Sequence, residues 1–352
     1  MDKSNLLIVT HLPSFYKINL YNAIAKHLDI FVVFVSNGSS IRNSDFISCQ
    51  PNFDFIVINQ GAFELRNIIS SCWQLLNVLQ SRRYDNLLVN GWDLPEFWLA
   101  VFLSSKHKNS VALESTIYDC NISGIKGLIK KFFLKRICRV FASGEPHVAL
   151  TKALEFTGKV IKTYGVGLLN RPIQVKPSSN NCRAITNFIY VGRLSDEKNV
   201  RFIIDKFNER NDLNLTIVGA GPQRDYLMGY ANENIKFLGH VDNKKLSTLY
   251  QNHDVFILPS LREPWGLVVD EALYNKLPVL VSRYVGSSID LVELPKTGLL
   301  FDPANINDLD GKLDLITSPD FYQKLVKNVK AFDIIEKDKR QVACYINEFS
   351  KK

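Results

Sequence analysis

The chain has no apolar run approaching the roughly 20 residues needed to cross a bilayer, although 46% of its 352 residues are hydrophobic. Its six cysteines, at 49, 72, 120, 138, 182 and 344, form no Cys-x-x-Cys pair and no zinc-ligand spacing. Reduced, mostly buried thiols in a cytosolic protein are the expectation. The first ten residues lack the long apolar segment and small-residue cleavage site of a secretory leader. The protein is therefore expected in the cytoplasm, or at most lying peripherally on the cytoplasmic face of the inner membrane. The histidines, at 11, 27, 107, 147, 240 and 253, show no His-x-x-x-His or triad spacing, and packing or surface roles are expected for them. There is no Asp-x-Asp motif either. With 18 Gly, 13 Pro and 22% charged residues the chain is neither collagenous nor disordered.

What is present is a balance tilted to the basic side. Forty-three Lys and Arg against 35 Asp and Glu give a net charge of +8, and the pI is near 9.0. Nucleic acid, an anionic membrane and a phosphorylated substrate are the partners such a charge admits. At this length two domains are expected, each large enough to bury its own core.

Short β-branched or aromatic runs alternate with segments of helical period, the signature of a parallel sheet built by helical crossovers. The first half places strands at 6–9, 31–35, 55–58, 87–89, 111–113 and 140–142, with amphipathic stretches at 18–27, 68–80 and 95–103. A polar tract at 171–186, with Pro172, Pro177 and the run Ser178-Ser179-Asn180-Asn181, reads as an interdomain linker. The alternation restarts at 188–191, 215–218, 235–238, 255–258, 278–282 and 299–301. This predicts two tandem doubly wound, Rossmann-like α/β domains facing across a cleft, with ligands at the carboxyl ends of the strands.

Two segments carry chemistry. The strand at 188–191 runs into Gly192-Arg193-Leu194-Ser195-Asp196-Glu197-Lys198, where Gly192 permits close backbone approach and Arg193 and Lys198 place two cations at a strand's carboxyl end. The strand at 255–258 runs into Pro259-Ser260-Leu261-Arg262-Glu263-Pro264-Trp265-Gly266-Leu267, after which a helix begins whose first-turn amides favour an anion. Glu263 and Glu271 stand before and within that helix, and carboxylates at two depths suit paired sugar or ribose hydroxyls. Val218-Gly219-Ala220-Gly221-Pro222 superficially matches a dinucleotide fingerprint but lacks the third glycine, so a nicotinamide cofactor is a weak reading.

Together, the motifs at 192–198, 218–222 and 259–272, the last with the spacing Glu263-x7-Glu271, resemble the retaining nucleotide-sugar glycosyltransferases of GT-B fold, family 4, group 1. The resemblance is dense over about 188–310 and loose in the first half. It implies that Arg193 and Lys198 bind the donor diphosphate and stabilise it as it leaves, with the amides around Gly266 and Leu267 helping. It implies that Glu263 contacts the donor sugar and that Glu271 contacts the ribose; Trp265, between them in the loop, is also expected to touch the substrate. It further implies that no metal or other cofactor is required, since side chains supply the positive charge, and that the acceptor, a glycan or lipid-linked glycan, binds mainly to the first domain.

The first half departs from many relatives. In place of a glycine-rich loop after the first strand stands His11-Leu12-Pro13-Ser14-Phe15-Tyr16-Lys17, so a phosphate contact there would come from Lys17 or helix amides. Where relatives often have a histidine, this chain has Glu114, which either orients the acceptor hydroxyl or caps a helix. The expected boundaries are 1–170 for the first domain, 171–186 for the linker and 187–329 for the donor domain, with a final helix over about 330–352 returning to the first.

Residues 120–144 hold Lys126, Lys130, Lys131, Lys135, Arg136 and Arg139 and no acid. Apolar Ile125, Leu128, Ile129, Phe132, Phe133 and Ile137 recur at three and four, which predicts an amphipathic helix with a cationic face. Two readings stay open: a helix packing its apolar face into the core, or one lying on anionic lipid through 124–141. With the positive charge concentrated there and at 193–198, nucleic acid is not expected as a partner. The functional expectation is a hexosyltransferase of lipopolysaccharide, O-antigen or capsule assembly. A GT-B epimerase or phosphorylase, or a non-catalytic basic protein of the membrane surface, is the alternative.

Overall fold

The apolar runs become strands buried on both faces, which is why they read as near-continuous hydrophobic stretches rather than alternating ones. The computed structural model describes residues 5–40, 49–171 and 184–350. Most of the expected linker, 172–183 with Cys182, lies outside the described residues. The chain divides into two compact units, Met1–Asn170 with Glu336–Lys352, and Arg171–Ile335.

The first unit holds strands β1 (Asn5–Thr10), β2 (Asp29–Gly38), β3 (Asp54–Ala62), β4 (Asn86–Val89), β5 (Asn109–Leu113), β6 (Arg139–Ala142) and β7 (Lys159–Lys162). Its helices are α1 (Phe15–Ala25), α2 (Ile68–Ser81), α3 (Pro95–Leu103), α4 (Gly124–Leu134) and α5 (Glu145–Ala153). The sheet order is β3-β2-β1-β4-β5-β6-β7, with every described pairing parallel. Because crossovers are right-handed, the connections stepping from β1 to β3 lie on one face and those stepping from β3 to β7 on the other. The two cores follow this division. Ile18, Leu20, Tyr21 and Ile24 of α1 fill one, and Leu75 of α2, Phe97 of α3, Phe133 of α4 and Leu150 of α5 fill the other.

The second unit holds β8 (Asn187–Val191), α6 (Val200–Glu209), β9 (Asn214–Val218), α7 (Arg224–Met228), β10 (Ile235–Gly239), α8 (Asn243–Gln251), β11 (Val255–Leu258) and α9 (Leu267–Tyr274). It continues through β12 (Val279–Ser282), β13 (Gly298–Phe301), α10 (Ile306–Thr317) and α11 (Pro319–Ala331). Its sheet order is β10-β9-β8-β11-β12-β13, again parallel throughout the described pairs. Helix α6 shows how sequence sets packing: Val200, Ile203, Ile204 and Phe207 recur on one face and are fully buried, with Phe207 edge-on to Phe188 of β8 at 5.2 Å. Each such side chain contributes about 1.5–3 kcal/mol of apolar burial.

The last helix, α12 (Ile334–Phe349), carries Tyr345 and Phe349. Tyr345 stacks on Phe141 of β6 at 4.5 Å and Phe349 packs on the same ring at 5.1 Å, so the chain's end completes the α1-side core of the first unit.

The glycines of 218–222 have a packing origin. A Cβ on Gly219, whose φ is +141°, would lie 1.9 Å from the Gly192 carbonyl oxygen, and one on Gly221 would lie 2.3 Å from the Leu194 carbonyl. These glycines let the loops after β8 and β9 touch backbone to backbone, through Gly192 N–H to Val218 O at 3.0 Å and Leu194 N–H to Ala220 O at 2.9 Å. The pattern that resembles a dinucleotide fingerprint is thus explained by loop packing. Gly219→Ala sets a side chain against main chain that cannot rotate away, so a loss of about 3 kcal/mol and a fall in Tm of roughly 5–10 °C are expected by calorimetry.

Candidate active site

Each sheet reverses its winding once, between β1 and β4 in the first unit and between β8 and β11 in the second. At such a reversal the loops beyond the carboxyl ends separate and leave a crevice in which ligands bind. In the second unit the two loops flanking the reversal are 192–199 and 259–266, the segments singled out by sequence.

Main-chain and side-chain bonds tie these loops together. The Glu197 carbonyl accepts from the Leu261 N–H at 2.9 Å, and Asn199 Nδ2 donates to the Pro259 carbonyl at 3.4 Å. Asn199 itself is left-handed, with φ +54°, a conformation that asparagine tolerates better than most residues. On this frame the Lys198 ammonium meets the Glu263 carboxylate, with side chains only 18% and 14% exposed. Arg193 Nη2 lies 2.9 Å from Glu197 Oε1, and the Ser195 hydroxyl donates to the same oxygen at 2.7 Å. Burial would raise the Glu197 carboxyl, but the bonds from Ser195 and Arg193 outweigh it and hold it below its ordinary value. The two cations each face one carboxylate, and Arg193 is 47% exposed beside Glu197.

Gly192 serves the same frame: a Cβ there would come within 2.7 Å of the Tyr190 hydroxyl, which donates to the Arg193 carbonyl at 2.9 Å. Trp265 stands differently from its sequence expectation. Its side chain is 2% exposed and its indole N–H donates to Asp270 Oδ2 at 2.7 Å, so it anchors the loop from inside and its ring is withheld from a ligand. Gly266 caps α9 with φ +91°, and a Cβ would lie 2.9 Å from Val285. The loop is further pinned by Gly286 N–H to Glu263 O at 2.8 Å and Ser287 N–H to Trp265 O at 3.0 Å. Leu267 and Val268 then head α9, where N–H groups have no carbonyl one turn before them and the helix dipole favours an anion.

Glu271 lies one turn further into α9, half-buried, with the Tyr250 hydroxyl donating to its Oε2 at 3.0 Å. Burial pushes its carboxyl up, the Tyr250 bond and Arg171 pull it down, and Asp270 pushes it up again, leaving it at about 7. Tyr250 and Arg171 carry no motif signal, since they act on Glu271 from outside the motif segments.

In the first unit, Lys17 of α1 is buried, and its ammonium lies 2.8 Å from Glu114 Oε1. Burial alone would lower this lysine, but Glu114 and the nearby Tyr16 and Tyr21 outweigh it and hold it above its ordinary value. Lys17, expected as a phosphate contact, faces the Glu114 carboxylate. Among the described residues Glu114 caps no helix, because α4 starts at Gly124. Beside this pair, His11 Nε2 lies 2.8 Å from Asp93 Oδ2 and its ring sits edge-on to Phe97 at 4.9 Å, a dyad that sequence spacing could not show. Among the described residues no three His, Cys, Asp or Glu are grouped as metal ligands, and no helix is long and apolar enough to cross a membrane.

Two doubly wound α/β units in tandem, each with its polar residues at the sheet reversal, define the class: this is a GT-B fold. Residues 185–332 match the family described as Glycosyl transferases group 1, and this part of the chain is such a domain. Over 42% of its length the chain is 32% identical to an uncharacterized glycosyltransferase of Methanocaldococcus jannaschii, of which the match covers 40%. The chain spans less than half the length of the first curated relatives that it matches. Among solved structures, sucrose-phosphate synthase from Thermosynechococcus elongatus superposes with a TM-score of 0.75 at 16% identity, covering 99% of this chain and 100% of that one. Anabaena HepE, solved with UDP and glucose, superposes with a TM-score of 0.67 at 16% identity, covering 98% and 100%.

Proposed function

We propose that the protein is a retaining glycosyltransferase that moves a hexosyl group from a nucleoside-diphosphate sugar to a glycan or lipid-linked glycan. The observation that carries this reading is the gathering of Arg193, Lys198, Glu263 and the head of α9 at the sheet reversal of the group 1 domain. Positive charge and oriented amides stand where negative charge develops on a departing diphosphate, the arrangement that lowers the barrier most in group transfer. Glu263 takes donor-sugar hydroxyls and Glu271 the ribose. The acceptor hydroxyl attacks from the face that the diphosphate leaves, and the diphosphate oxygen receives its proton, so no covalent enzyme nucleophile is needed. Arg193 and Lys198 do the work of a metal. Lys17 and Glu114 act on the acceptor side, Glu114 orienting the hydroxyl. Lipopolysaccharide, O-antigen or capsule assembly in the cytoplasm is the pathway class this reading favours.

A thermal-shift panel of UDP-, GDP- and dTDP-sugars tests it, followed by nucleotide release with the responding donor and a glycan acceptor pool. Stabilisation by at least one donor, with diphosphate released in step with glycoside formed, is expected. No response to any donor removes the donor site, and turnover without net diphosphate release identifies an epimerase.

A further inference from the structure

The basic segment behaves in the fold as neither a core helix nor an ordinary surface helix. Helix α4 covers only Gly124–Leu134 of the segment 120–144, and residues 139–142 are strand β6. Its register is fixed by Gly127, which is buried and whose Cβ would lie 2.0 Å from the Ile122 carbonyl, and by Phe133, Leu134 and Ile137 in the core. That register turns the stripe i, i+3, i+4, i+7 outward: Ile125 is 77% exposed, Leu128 66%, Ile129 49% and Phe132 55%. Of the six apolar positions, Phe133 and Ile137 pack into the core and the other four stay outside it.

The stripe does not stand alone. By the winding of the sheet, α2, α3 and α4 lie on one face. Phe132 packs against Phe102 of α3 at 5.2 Å, and the neighbouring Leu103 is exposed, as is Trp73 of α2. Lys126, Lys130, Lys131 and Lys135 alternate with the stripe, and 120–144 contains no acid. Lys131 pairs with Glu155 at 2.6 Å, and Lys130 bonds to the Asn121 carbonyl at 2.7 Å.

We propose that the outer face of α4, extended by Leu103, docks the protein on an anionic lipid bilayer, with the Ile125, Leu128, Ile129 and Phe132 side chains entering the headgroup–acyl boundary. An apolar stripe flanked by lysines matches that boundary in both depth and charge. A self-complementary contact with a second copy fits worse, because it would bring the same lysines together. The inference goes beyond the transfer reaction and does not depend on it: docking requires no donor site.

The test is co-sedimentation of the full chain with phosphatidylcholine vesicles and with vesicles containing a third phosphatidylglycerol, at low and at 0.5 M salt. Retention at least about tenfold greater on the anionic vesicles is expected, weakening with salt. Ile125→Glu with Leu128→Glu should abolish it at unchanged circular dichroism and Tm, since these side chains are 77% and 66% exposed. Phe132→Trp should be quenched by brominated lipid. Equal retention of the double variant overturns the proposal. So does a concentration-dependent dimer, seen by light scattering, that the double variant dissolves while neither vesicle binds.

Discussion

Lys198→Ala is expected to slow transfer by about 10²–10³-fold, the loss typical of removing one preorganised stabiliser of developing charge. Lys198 is the better buried of the two cations, and its partner Glu263 is 14% exposed, so the alanine variant also strands a carboxylate away from water. A stability cost on the order of 2 kcal/mol follows, below that of a fully buried pair because water still reaches part of it. The two effects separate in the double variant Lys198→Ala with Glu263→Gln: Tm should recover while transfer stays low. Arg193→Ala should cost less, about tenfold, because its guanidinium is 47% exposed and already shared with Glu197. Steady-state diphosphate release with the donor identified by thermal shift is the measurement. Retention of a tenth or more of wild-type turnover by Lys198→Ala would remove this lysine from the mechanism.

The fold was legible wherever strands are buried on both faces. The strands read at 188–191, 215–218, 255–258 and 299–301 lie within a residue of β8, β9, β11 and β13. Strand β7 went unread because Lys159–Lys162 is an edge strand, half-exposed and half lysine, without the apolar run that marks its neighbours. The site was legible where chemistry is local in sequence, as in 192–198 and 259–271. It was not legible where packing in three dimensions decides. The burial of Trp265, whose indole N–H meets Asp270 only five residues on, follows from no motif rule, and no spacing rule shows that Tyr250 of α8 reaches Glu271 of α9. Helix α4 is a sharper case: its period was readable, but periodicity gives a stripe without saying which way it faces. The direction was set by Gly127, a buried glycine under the Ile122 carbonyl.

Glu271→Gln is expected to make the chain more stable at pH 8 while weakening donor binding by about 10–100-fold, the worth of one or two hydrogen bonds to a charged group. Burial raises the Glu271 carboxyl to about 7 from an ordinary 4.5. The folded chain therefore holds this proton where the unfolded chain has lost it. Stability from this group is fully present below about 4.5 and is lost as pH rises through about 7. On the order of 2 kcal/mol is missing at pH 8, and glutamine, which never ionises, restores it. The difference in Tm between variant and wild type should thus be positive at pH 8 and vanish near pH 4. On the ribose role proposed for Glu271, binding runs the opposite way, because the ionised carboxylate is the stronger acceptor for the two ribose hydroxyls. With half-ionisation near 7, wild-type affinity for a nucleoside-diphosphate sugar should rise about ninefold from pH 6 to pH 8. The intact donor is the proper probe, since its diphosphate is a diester fully ionised across that range, whereas a free diphosphate titrates near 6 and would add its own slope. In the glutamine variant the profile should be flat. A wild-type Kd independent of pH would show that Glu271 is not the ribose acceptor, whatever its effect on Tm, and a flat Tm difference would show that its burial carries no strain.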